Sequence, residues 1–198
     1  PTPCEREYVV LLSEWTDVDP SDILSSRKMQ DDYYTFRQRT AASFAREAKQ
    51  AGSGIAALKD RLAWSKMRMS ATDISDVSRV IFSYLVNGHA PDTNWTGLFR
   101  PNERIRLRFI NASTMTFFDI RIPGLEMQVV QADGNDVEPI TVDEFRIGVA
   151  ETYDVIVQPT DERAYTIFAQ REDRNGYARG PLAPHSGMSA AIPPMDPR

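Results

Sequence analysis

Cysteine occurs once in this sequence, at position 4, and histidine twice, at positions 89 and 185. A single cysteine excludes an internal disulfide, and no histidine lies near Cys4 in sequence to make it a nucleophile. There is no apolar run of membrane-spanning length and no charged-then-apolar leader. Excess positive charge is also missing: 23 Lys and Arg stand against 28 Asp and Glu, a formal charge of −5. That balance argues against a general nucleic-acid or polyanion binder. P-loop, nucleophile-elbow and dinucleotide fingerprints are absent as well. What remains is 198 residues, 41% of them hydrophobic and 26% charged, enough for one well-packed core with room for an insertion.

The informative stretch is Asn87 to Val157. Arg104, Arg106 and Arg108 alternate with Ile105, Leu107 and Phe109, a period of two with one apolar face. The arginine face reads as a solvated or domain-facing sheet surface. Strand-length runs follow, separated by Pro123-Gly124, Asp133-Gly134 and Pro139. Strands are expected near Val80–Val86, Arg104–Asn111, Phe117–Ile122, Met127–Ala132, Phe145–Val149, Tyr153–Gln158 and Tyr165–Gln170. Upstream, Tyr8 to Leu12 is a continuous apolar run, which suits a first strand buried on both sides.

Between about residues 20 and 76 the pattern turns helical. Asp19-Pro20 is a helix start, and Phe36, Thr40, Phe44 and Ala48 recur every fourth residue up to a stop at Gly52. Ser53 then caps a helix carrying Ile55, Leu58 and Leu62 as a stripe. A helical pair packed on a sandwich is the expectation. After Gln170 the chain becomes polar and rich in Gly and Pro, with no evident further element. An extended tail is therefore expected over about 171–198. Proline-rich segments at both ends look like linkers at a domain boundary.

In order along the chain stand Ser13-Glu14-Trp15 closing a strand, the Asn87-Gly88 turn, Arg106-Leu107-Arg108-Phe109-Ile110-Asn111, Asp133-Gly134, Pro139, and Glu151 to Val155. This ordered set resembles the second, middle domain of three-domain multicopper oxidases. The long helical insert and the Gly176 to Gly180 run look like the bacterial periplasmic copper-resistance branch in particular. The resemblance implies an all-β, cupredoxin-like Greek-key sandwich over residues 1–198, with the helical insertion after its first strand. It also implies a periplasmic oxidoreductase that, at full length, couples oxidation of a substrate or Cu(I) to reduction of dioxygen. In such enzymes the first and third domains hold the coppers and are the partners of the second.

Blue copper needs two imidazoles and a thiolate, and the trinuclear cluster needs many more imidazoles from His-x-His pairs. This sequence has no His-x-His and no His-Cys-His. No catalytic, cofactor-binding or metal-ligating residue is therefore expected here, and the isolated segment is expected to be inactive. Met67 and Met69 are soft thioethers suited to Cu(I), but two do not make a site alone, and gap-filling core is their ordinary role. His89 and His185 read as solvated turn and tail residues. Asp17, Asp19 and Asp31-Asp32 read as helix-start acids rather than a cation loop. Asn94-Trp95-Thr96 and Asn111-Ala112-Ser113 match the glycosylation sequon. The alternative reading is a stand-alone sandwich module whose helical insert contacts a partner.

Overall fold

The computed structural model describes residues 2–30, 33–34, 40–66, 81–93 and 95–196. They form two compact units, one of residues 1–15 and 83–198 and one of residues 16–82.

The first unit is a sandwich of two sheets. One has the strand order β2-β1-β4-β9-β6-β7, from β1 (Arg6–Trp15), β2 (Ser83–Val86), β4 (Ile105–Asn111), β6 (Met127–Ala132), β7 (Asn135–Val142) and β9 (Thr152–Val157). The other runs β3-β11-β10-β5-β8, from β3 (Gly97–Leu98), β5 (Phe118–Arg121), β8 (Glu144–Ile147), β10 (Tyr165–Arg171) and β11 (Tyr177–Ala183). β1 pairs in parallel with β4, and β3 with β11; the other ladders are antiparallel.

The period-2 alternation explains the core. Ile105, Leu107 and Phe109 of β4 are fully buried beside Val10 and Leu12 of β1, facing Phe118, Ile120 and Ile167 of the other sheet. Burying each such side chain contributes roughly 1.5–3 kcal/mol. Two hairpin turns fix the register. Asn87-Gly88 and Asp133-Gly134 both have positive φ (50° and 79°, 47° and 76°), as a two-residue I′ turn demands. β10 is buried along its whole length, although it lies inside an antiparallel sheet.

Three expectations about strands need correction. β1 is buried on one face only: Val10 and Leu12 are covered while Val9 is 50% exposed on the outer face of its sheet. Pro139 does not end a strand but lies within β7, the edge of its sheet, where proline is tolerated. The polar stretch after Gln170 contains β11, which pairs with β10 through Gly180 and Pro181. Gly180 has no room for a side chain because the Trp95 ring lies 2.9 Å from where its Cβ would be.

In the second unit α1 (Pro20–Met29), α2 (Ala41–Gln50) and α3 (Gly54–Lys66) lie in the expected helical stretch. The Asp19 carboxylate accepts from the Ser21 amide at 2.7 Å, with Pro20 as first helical residue. Thr40 and Ser43 form a reciprocal capping box on α2, and the Ala56 amide donates to the Ser53 hydroxyl at the start of α3. The stripe of Ile55, Leu58 and Leu62 is more than half exposed for Ile55 and Leu62 and half exposed for Leu58. Arg61 joins α2 and α3 instead. Its guanidinium donates to both Glu47 oxygens (2.7 and 3.0 Å) and to the Ser43 hydroxyl, and lies over the Phe44 ring. The position Phe36 falls outside the described residues. Among the described residues no helix is long and apolar enough to cross a membrane.

Candidate functional site

The residues that carried the sequence resemblance are structural anchors of the sandwich. Asn111, 1% exposed, donates to the Thr116 and Ile147 carbonyls and accepts from the amide and hydroxyl of Ser113. Its side chain is thus engaged at both ends, and buried, so the sequon reading of Asn111 fails. Asn94 of the other sequon lies outside the described residues. Asn87 uses its positive-φ turn position to reach β1, accepting from the Leu11 amide and donating to the Val9 carbonyl, both at 2.8 Å. Glu151 accepts the Gly148 amide at 2.6 Å, closing the corner between β8 and β9.

The three arginines separate. Arg106 is 4% exposed, contrary to the solvated-surface reading. Its guanidinium donates to Asp154 of β9 at 3.2 Å and to the Thr2 carbonyl at 2.7 Å, so the N-terminal residues fold back over it. Arg108 pairs with Glu7 at 3.0 Å and lies opposite Asp154 in the ladder. Arg104 helps line an open polar cleft of about 560 Å3 with Gln128, Thr141, Gln158, Thr160 and Arg163.

Among the described residues the candidate ligands are not brought together into a metal site. Cys4 donates weakly to Glu7 at 3.5 Å, and burial and that carboxylate push its thiol up, away from the reactive thiolate. His89 is the exposed last residue of the Asn87-Gly88 turn, and its backbone exchanges hydrogen bonds with Val86. His185 is exposed after β11. Met67, Met69, Asp31 and Asp32 lie outside the described residues. Among the described residues no three His, Cys, Asp or Glu side chains converge to hold a metal ion.

One cluster was not legible in the sequence. Arg171, fully buried, lies under the Tyr84 ring and donates to Asp173 at 2.6 Å, and Asn175 completes the group. Burial pushes the Tyr84 phenol well above its ordinary range. It also raises the neighbouring Glu172 carboxyl, whose Oε2 accepts the Phe117 amide. In sequence the Arg171 to Asn175 run falls in the polar stretch that reads as an extended tail. Only its place at the end of an alternating strand hints that Arg171 points inward.

Two packed, mostly antiparallel sheets, each with one parallel pairing (β1–β4 and β3–β11), define the cupredoxin-like sandwich. Solved structures agree: Fet3p, a multicopper oxidase that functions in iron import, superposes over 100% of this chain and 31% of its own, with a TM-score of 0.63 at 19% identity. A laccase from Botrytis aclada covers 98% of this chain and 31% of its own, with a TM-score of 0.61 at 17% identity. At such identities the likeness is one of fold. The sequence profile described as multicopper oxidase matches residues 6–187. Copper resistance protein A of Escherichia coli is 60% identical over 98% of this chain, and that of Pseudomonas syringae pv. tomato 55% over 98%. The chain belongs to the multicopper oxidase family. It spans about a third of the length of these curated relatives, 32% in both cases.

The family implies copper, and the donor set of this chain does not fit it. Its one cysteine, whose thiol is pushed up, and its two exposed histidines do not converge on a common point among the described residues, and no His-x-His pair is present for a trinuclear site.

Proposed function

We propose that this chain is the middle part of a longer, periplasmic multicopper oxidase of the copper-resistance type, and that its role is architectural. It holds the copper-bearing first and third domains at the spacing their shared cluster requires. The observation that carries this reading is a mismatch. A chain 60% identical to a copper resistance protein over nearly its whole length contains one cysteine and two histidines. Copper bound elsewhere in the longer polypeptide supplies electron transfer from a substrate, Cu(I) among the candidates, to dioxygen. The contribution of this chain is rigidity, which preorganises a site before the metal arrives. Buried side-chain bonds at Asn111 and Arg106 suit that task, because they tie non-adjacent segments into one body.

The test is metal titration of two proteins. The longer polypeptide should take up copper, turn blue and consume oxygen with a reduced substrate. This chain alone should do none of these. A blue band on adding Cu(II) to the chain alone would refute the architectural reading.

A further inference from the structure

The outer face of β10 is occupied where an open sheet would meet water. Thr166, Phe168 and Gln170 share that face by strand alternation, and they are 4%, 0% and 0% exposed. Their cover is the extended chain that follows β11. The Thr166 hydroxyl donates to the Ala191 carbonyl at 2.7 Å. Gln170 donates its amide to the Asp196 carboxylate at 3.0 Å and accepts the Asp196 amide at 2.8 Å, a reciprocal pair. Arg121, opposite Phe168 in the ladder and stacked on its ring, donates to Asp196 at 2.8 Å and to the Pro194 carbonyl at 2.8 Å. The Arg121 guanidinium holds the Asp196 carboxyl below the usual carboxylate range.

The chemistry of Gln170 decides what this means. A fully buried amide without partners is strongly disfavoured, and its partners here come from Asp196, which follows it by 26 positions in sequence. The tail expected from sequence to be a free linker is therefore fastened at its far end. Its path is set by the sheet.

We propose that Gln170 and Arg121 form a latch on Asp196 that fixes the direction in which the chain leaves the sandwich, making them positioning residues for the copper cluster of the longer polypeptide. This rests on the architectural reading above. The latch holds by two bonds to the Asp196 carboxylate and one to its amide, while Arg121–Pro194 and Thr166–Ala191 hold the residues before it, so releasing it loosens the last residues of the exit segment without touching any copper ligand. A loosened exit lets the following domain swing, and a cluster shared between domains tolerates little misplacement.

The test uses the longer polypeptide with Gln170→Met, which fills the buried space but removes both bonds, and Asp196→Ala, which lies outside the core. Exchange of the residue-196 amide, which donates to Gln170 Oε1, should be slow in the parent, roughly tenfold or more faster in Gln170→Met and less accelerated in Asp196→Ala, which keeps that amide and its acceptor. Gln170→Met leaves the Arg121–Asp196 bond and Asp196→Ala leaves the residue-196 amide its acceptor on Gln170, so the double variant should exchange at least as fast as Gln170→Met and faster than Asp196→Ala. Copper bound at the shared cluster should fall several-fold in both, while the blue band stays at the parent value. Full cluster copper despite a released tail would overturn the latch and leave the architectural reading standing. A parent polypeptide without copper would overturn both, whereas fast exchange of the residue-196 amide in the parent overturns the latch alone.

Discussion

Glu14 and Thr116 lie 102 positions apart in sequence, and the Thr116 hydroxyl donates to Glu14 Oε2 at 2.7 Å. The other oxygen, Oε1, accepts the Thr114 amide at 2.9 Å and the Thr114 hydroxyl. One carboxylate at the end of β1 thus fastens the loop that carries the chain from β4 in one sheet to β5 in the other.

Glu14→Ala should destabilise the sandwich by about 1–3 kcal/mol, the range for hydrogen bonds to a charged group. Urea unfolding would show the midpoint moving down with an unchanged slope. A change within error would mean the loop is held by its neighbours alone.

The Arg106–Asp154 pair joins neighbouring strands where both side chains are nearly closed to water, 5% and 11% exposed. Removing Asp154 leaves the buried Arg106 with only the Thr2 carbonyl and the more distant Glu7 carboxylate, so Asp154→Leu should cost up to about 3–5 kcal/mol. Combining it with Arg106→Met should recover most of that loss, because the apolar pair carries no desolvation penalty. A double-mutant cycle by denaturant unfolding checks the sign: strictly additive costs would contradict this account.

Asn111→Ala deprives two carbonyls and two Ser113 donors of their partner, at a cost of about 2–4 kcal/mol. Secretion from a glycosylating host gives a second readout. Peptide mapping should find Asn111 without glycan, since its amide is inside the fold.

Glu172 makes a pH prediction whose sign follows from burial. Burial raises its carboxyl above the unfolded value, so the folded state holds the proton to higher pH than the unfolded state does. Stability from this group is complete below the unfolded pKa and declines as pH rises through the raised one. Glu172→Gln should match the parent in acid and exceed it at neutral pH, measured as the difference in urea midpoint across that range. A difference that shrinks with rising pH would reverse the assignment.

Much of the sandwich was legible because a strand with one buried face writes its alternation into the sequence. β4 and β6 come nearest to such strands, and Asn87-Gly88 and Asp133-Gly134 announce their turns by residue type. β7 was missed because every residue from Asn135 to Thr141 is exposed, leaving no apolar face to read. β11 was missed because Gly180 and Pro181 imitate a loop; Gly180 is required by Trp95, a contact far away in sequence. The outer face of β10 hides the tail for the same reason, since nothing near Gln170 reveals its partner at Asp196.

Trp15 and Ser83 are register partners at the open end of the β1–β2 ladder, and residues 16–82 leave and return between them. The helical unit is therefore a guest inside a hairpin, entering and leaving a few ångströms apart. Closing a flexible loop costs only about 0.6 kcal/mol for each doubling of its length. A host with this geometry is nearly indifferent to the size of its guest. Lengthening, shortening or exchanging that unit should leave the ladder from Leu12–Val86 to Trp15–Ser83 paired.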